Sequence, residues 1–134
     1  MCLVINKKVR NNNHKEDGYC VGYKSIYKDS HKDSNESIYR NHLYKIGKNK
    51  SDRGDNTLTQ SETLYLTVHY GFHLFLHLRD AKDKTLGYDQ RKIIKVYYKP
   101  EDVVAYGNWE EEREIPNVVV TKVLVKSLDD IKGE

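Results

Sequence analysis

The chain has 134 residues, enough for one modest core but not two, and its 37% hydrophobic against 32% charged residues assign much of it to surface or loop. The formal net charge is only +3, too small an excess for the dense basic stripe of a dedicated duplex-DNA binder. Neither a leader peptide nor a long apolar run stands in the sequence, so a cytoplasmic protein with reduced thiols and no membrane contact is expected.

Taken in chain order, Leu3 to Ile5 forms a short first strand, followed by a polar loop from Asn11 to Gly18. Tyr19 to Tyr27 reads as a second strand, with Tyr19, Val21, Tyr23 and Tyr27 on one face and Cys20, Gly22, Lys24 and Ile26 on the other. Asp29 to Ser37 lacks apolar residues and reads as an exposed loop. Ile38 to Ile46 is a third strand ending at Gly47, and residues 48–62 form the longest polar stretch, a loop of functional length.

Tyr65 to Leu78 carries an unbroken alternation through Leu66, Val68, Tyr70, Phe72, Leu74 and Leu76, with Gly71 in its middle. The alternation predicts one long strand, or two bent at Gly71, with Phe72, Leu74 and Leu76 buried. Arg79 to Leu86 is a helix of one or two turns stopped by Gly87, with Leu78, Ala81, Thr85 and Leu86 inward. Lys92 to Lys99 is a strand ended by Pro100; Glu101 to Tyr106 is a turn of helix or a short strand. Trp109 to Glu114 is an acidic segment before Pro116, Val118 to Val125 a closing and central strand, and Ser127 to Glu134 a polar tail. Six or seven strands and one or two short helices without βαβ alternation give a single α+β domain built mainly on an antiparallel sheet.

Three histidines, His69, His73 and His77, lie four residues apart. On a helix each adjacent pair would stand about 6 Å apart and could share a metal. On a strand the pairs are about 13 Å apart, too far for one ion. The strand reading therefore makes them a His/Tyr/Phe face turned toward water or a ligand, with no metal and no cofactor. Cys2 and Cys20 form no C-x-x-C pair, which speaks against structural zinc.

Charge is uneven along the chain. Residues 1–53 hold 12 Lys/Arg against 6 Asp/Glu, and the remainder 11 against 14, so the N-terminal part is the better surface for an anion. Eleven tyrosines against two phenylalanines and one tryptophan favour rings with a polar handle, suited to interfaces and to stacking on bases, although a Lys-, Asn- and Tyr-rich composition also follows from an A/T-rich genome. Tyr23, Lys24, Arg40, Lys48 and Arg53, joined to His69, His73 and His77, offer rings and cations for a nucleotide-like small molecule. A competing surface is the acidic patch of Glu110, Glu112 and Glu114 with Trp109 as an aromatic anchor, suited to a basic protein; the alternative for Trp109 is a place in the core.

The pairs Tyr23-Lys24 and Gly47-Lys48, the element Gly71-Phe72-His73-Leu74-Phe75, the helical Ala81 and the valine-rich Val118 to Val125 resemble a group of short phage- and prophage-encoded proteins of unassigned function. That resemblance implies a phage setting and a protein that counteracts host antiviral defence by stoichiometric binding. It would either sequester a nucleotide-derived signal or bind a host defence protein directly, as an anti-CRISPR does.

Enzyme readings compete with this one. The strand order also resembles an ADP-ribosyltransferase with Glu112 or Glu114 as the late glutamate, but Phe72-His73-Leu74 stands where the Ser-Thr-Ser-like element belongs. Loss of Met1 would expose Cys2 as an N-terminal nucleophile, yet Leu3 follows where such enzymes have Gly. Ser/His/Asp, Gly-loop and H-E-x-x-H patterns are missing, so binding is favoured over catalysis. The apolar content of Tyr65 to Leu78 could also support a homo-oligomer.

Overall fold

The computed structural model describes residues 3–27, 44–51, 58–60, 66–68, 71–109 and 112–131. Within them lie ten strands and one α-helix. The strands are β1 (Leu3–Ile5), β2 (Cys20–Tyr27), β3 (Gly47–Lys50), β4 (Leu58–Gln60), β5 (Leu66–Val68), β6 (Phe72–Phe75), β7 (Arg91–Tyr98), β8 (Val103–Trp109), β9 (Glu112–Val120) and β10 (Lys122–Val125). The helix α1 (Leu78–Thr85) follows β6, and a single 3-10 turn (Pro100–Asp102) separates β7 from β8. All strands join one antiparallel sheet in the order β3-β10-β7-β2-β6-β9-β8-β1-β5-β4.

Alternation along β2, β6, β7, β9 and β10 sends Cys20, Ile26, Phe72, Leu74, Ile94, Val96, Val118, Val120, Val123 and Val125 to one inner face, where they form the principal core. The sheet curls around it. Strands β7 and β8 are four places apart, about 19 Å in a flat sheet, yet Tyr98 Oη and Tyr106 Oη lie 3.1 Å apart. Asn11 closes this end, donating from Nδ2 to Tyr98 Oη at 2.5 Å and to the Val21 carbonyl at 3.0 Å. Burial pushes both tyrosine hydroxyls upward from their ordinary pKa and keeps them neutral donors.

On the outer face α1 covers a second cluster of Phe75, Ala81, Ile93, Trp109 and Ile115. Thr85 Oγ1 donates to the Ala81 carbonyl at 2.6 Å, so its contact with Ser25 Oγ at 2.9 Å is one in which serine donates, tying helix to β2.

The Tyr65 to Leu78 stretch holds two strands, and Gly71 between them has φ 108, a conformation that favours glycine. Phe72, Leu74 and Leu76 are buried as expected; Tyr65, His69 and Tyr70 lie outside the described residues, and Leu78 starts α1 instead of ending the strand.

Other expectations are corrected. Strand β3 begins at Gly47, where the third strand was expected to end, and runs into the stretch read as loop; the 29–37 loop and Ile38 to Leu43 fall outside the described residues. Leu86 is 77% exposed because α1 ends one residue earlier. Val118 to Val125 is two strands broken at Thr121: β9 is central, while β10 lies next to the β3 edge. Pro116 sits inside β9 opposite Asn108, beside a register shift between Asn108 and Trp109 that accommodates its missing donor.

Candidate functional site

Several of the residues expected to bind ligand are turned inward. Lys24 is 5% exposed on the inner face, and its Nζ donates to the His73 carbonyl at 2.9 Å. Tyr23, its neighbour, points to the opposite face and packs against the cluster beneath α1. His73 is 5% exposed and shares its face with Phe75, so the expected water-facing His/Tyr/Phe surface is instead a covered one. His77 is the half-buried residue before α1, and its carbonyl accepts from the Asp80 and Ala81 amides. His69, Arg40 and Arg53 lie outside the described residues. Among the described residues no group of three or more His, Cys, Asp or Glu is placed to hold a metal ion.

The alternative protein-binding anchor is also corrected. Trp109 is 6% exposed, stands edge-on to Phe75 with ring centroids 5.8 Å apart, and has the Lys84 ammonium 4.9 Å from its own ring centre. It is a core ring. Glu112 and Glu114 belong to β9, and Glu110 lies outside the described residues.

Lys48 is the expected residue that the fold brings to an open cleft. The cleft, of about 350 Å³, lies where β3, β10 and β7 run side by side, and Lys48, Lys50, Lys99, Lys122, Tyr19 and Tyr97 line it together with Glu101 and Asp102. Its geometry follows from strand register. Lys50 is opposite Lys122, and Lys48 is opposite Leu124. Leu124 is opposite Tyr97, so two residues along this antiparallel pair Lys122 comes level with Lys99. Cys20 pairs with Tyr98, which brings Tyr19 level with Lys99; the Lys99 ammonium lies 5.4 Å from the centre of the Tyr19 ring. A row Lys50–Lys122–Lys99–Tyr19 thus runs on one face across β3 and β10 to the residues just beyond the ends of β7 and β2, each step about 4.8 Å between strands.

Two residues further along the strands the arrangement changes. Lys95 and Lys126 flank Tyr97, at 5.8 and 4.5 Å from its ring centre. Both are claimed by the turn before β2, in which Asp17 (φ 53) and Gly18 (φ 82) make a two-residue reversal closed by reciprocal Glu16–Tyr19 backbone bonds. Glu16 forms an ion pair with Lys95 and accepts from Tyr97 Oη; Asp17 pairs with Lys126 at 2.8 Å. The hydrogen bonds from Lys95 and Lys126 hold the Glu16 and Asp17 carboxyls below their ordinary pKa, and both lysines are raised in return. Lys48, Lys50, Lys99 and Lys122 form no ion pair with any described residue.

No protein-family model matches the chain, and no curated protein or solved structure matches it either.

The sequence reading passed over Lys99, Lys122 and Tyr19 as ligand residues. The signal was present as lysines an even number of residues apart, at Lys48/Lys50, Lys95/Lys99 and Lys122/Lys126, which puts each pair on one strand face. Only the pairing of distant segments makes them a row.

Proposed function

We propose that the protein is a stoichiometric binder that captures a phosphate-bearing, nucleotide-like anion in the cleft between β3, β10 and β7. The observation that carries this reading is the Lys50–Lys122–Lys99 row. Like charges directly opposite one another on neighbouring strands oppose folding by about 0.2–1 kcal/mol per pair, and no ion pair with a described carboxylate relieves these. A polyanion turns that repulsion into attraction, each charge-assisted hydrogen bond contributing about 1.5–3 kcal/mol. Tyr19 at the end of the row supplies a half-buried ring for an aromatic base.

Capture suits a cytoplasmic, phage-type protein that blunts a host defence by holding its nucleotide-derived signal, in proportion to its own concentration. Calorimetric titration with nucleotides, followed by mass spectrometry of the ligand recovered after denaturation, tests both parts. Saturation near one ligand per chain with intact ligand is expected. Altered ligand at far below one protein per ligand would show an enzyme instead, and absence of binding by any phosphate compound would refute the site.

A further inference from the structure

We propose that the ligand is a nucleoside 5′-polyphosphate lying across the strands, its base on Tyr19 and its phosphate chain over Lys99, Lys122 and Lys50. This rests on the anion-capture reading above and adds polarity and length to it. One end of the row is aromatic and the rest cationic, so a ligand that uses all of it must carry a ring at one end and charge spread over the remainder. From Tyr19 to Lys50 is three strand steps, about 14 Å, a span suited to a nucleoside with a chain of two or three phosphates. A free phosphate engages one or two lysines and leaves Tyr19 unused. A longer strand of nucleic acid needs a second stacking ring, and the other two rings lining the cleft are buried, Tyr97 at 7% exposure beneath Lys95 and Lys126 and Tyr98 at 1% on the inner face.

Lys99 couples the two ends. Its ammonium now lies over the Tyr19 ring; a phosphate at the middle of the row draws it away, because a charge-assisted hydrogen bond outweighs an exposed cation–π contact, and the ring face is freed for the base. Glu101 and Asp102, on the turn directly after Lys99, border the row and can accept hydrogen bonds from ribose hydroxyls.

The test is calorimetry on the full chain with ATP, ADP, AMP, inorganic tripolyphosphate and a six-nucleotide single-stranded DNA. Affinity should fall about tenfold or more for each phosphate removed, and tripolyphosphate should bind about tenfold more weakly than ATP, the loss of one stacked base. Tyr19→Leu should erase that last difference by weakening ATP without weakening tripolyphosphate, and Lys50→Gln should weaken ATP more than AMP. Equal binding of ATP and tripolyphosphate would overturn the orientation and leave anion capture standing. Tighter binding of the oligonucleotide than of ATP would overturn the assigned class. Failure of every anion to bind would remove the site itself.

Discussion

Two sets of lysines lie four residues apart along β7 and β10 on the same face, and they differ in who answers their charge. Lys95 and Lys126 are met by Glu16 and Asp17 from the turn before β2 and close over Tyr97. Lys50, Lys122 and Lys99 stand shoulder to shoulder with no ion-pair partner among the described residues. The first set is a clasp that pins the chain's first loop to the sheet; the second lines a cleft that Glu101 and Asp102 share, with no ion pair to either. Both use the same residue type on one face of the sheet, and the difference comes from where the Asp17-Gly18 reversal delivers the carboxylates of Glu16 and Asp17. A basic surface is therefore a candidate site where the fold withholds partners, and a structural one where it provides them.

The largest effect comes from removing the platform that both rows share. Leu74 is fully buried on the inner face, and Leu74→Asp should unfold the protein, since an unpaired buried carboxylate costs several kcal/mol against a total stability of about 5–15 kcal/mol. Loss of the cooperative thermal transition and of far-ultraviolet circular dichroism checks it. His73→Ala should leave the protein folded but, with His73 buried, cost about 1–3 kcal/mol.

Next in size is the functional contrast itself. Lys50→Glu combined with Lys122→Glu should weaken phosphate-anion binding at least a hundredfold, whereas Lys126→Gln should change it less than about threefold. Equal losses in calorimetry would mean that the two rows act as one surface and the distinction fails. Binding should also weaken steeply with added salt, by screening of exposed charge.

A smaller effect tests the repulsion. Without ligand, Lys122→Thr should raise the melting temperature by about one to four degrees through relief of two like-charge neighbours, and added salt should shrink the gain. Lys95→Thr, which breaks a pair instead, should not raise it.

The smallest effect is the pH response of the clasp. Glu16 and Asp17 have folded pKa values below their ordinary 4.5 and 3.8. Their contribution is therefore present above those values and lost as pH falls through the lowered ones. Lys95 and Lys126 are raised above their ordinary 10.5, so their share is complete below it and fades as pH rises beyond it. The melting-temperature gap between the native chain and a Glu16→Gln, Asp17→Asn variant should be open at neutral pH and close in strong acid. A gap that persists after full protonation would assign the turn's role to packing.

Much of the fold was legible because strand periodicity is local. The alternation through Phe72, Leu74 and Leu76, the β2 pattern from Cys20 to Tyr27 and the stop at Pro100 each depend on neighbours a few residues away, and each reappears in the structure. Errors fell where a face was covered by something remote. His73 reads as the polar side of an amphipathic strand, and burial beneath the outer face is invisible from its own segment. Trp109 beside three glutamates reads as a surface anchor as readily as a core ring, and Phe75, thirty-four residues earlier, decides between them. Lys24 reads as a cation beside Tyr23, but strand geometry and the curl of the sheet send it inward to a carbonyl.

What the sequence determined by itself was the antiparallel, strand-rich character of the chain, the glycine break at Gly71 and the helix around Ala81. Those follow from side-chain alternation and backbone preference, which act over a few residues. Only the tertiary structure decided which lysines became neighbours, because register between β3, β10, β7 and β2 joins segments separated by up to about 80 residues of chain. Coulomb energy depends on distance in space, and along the sequence Lys50, Lys122, Lys99 and Tyr19 are strangers.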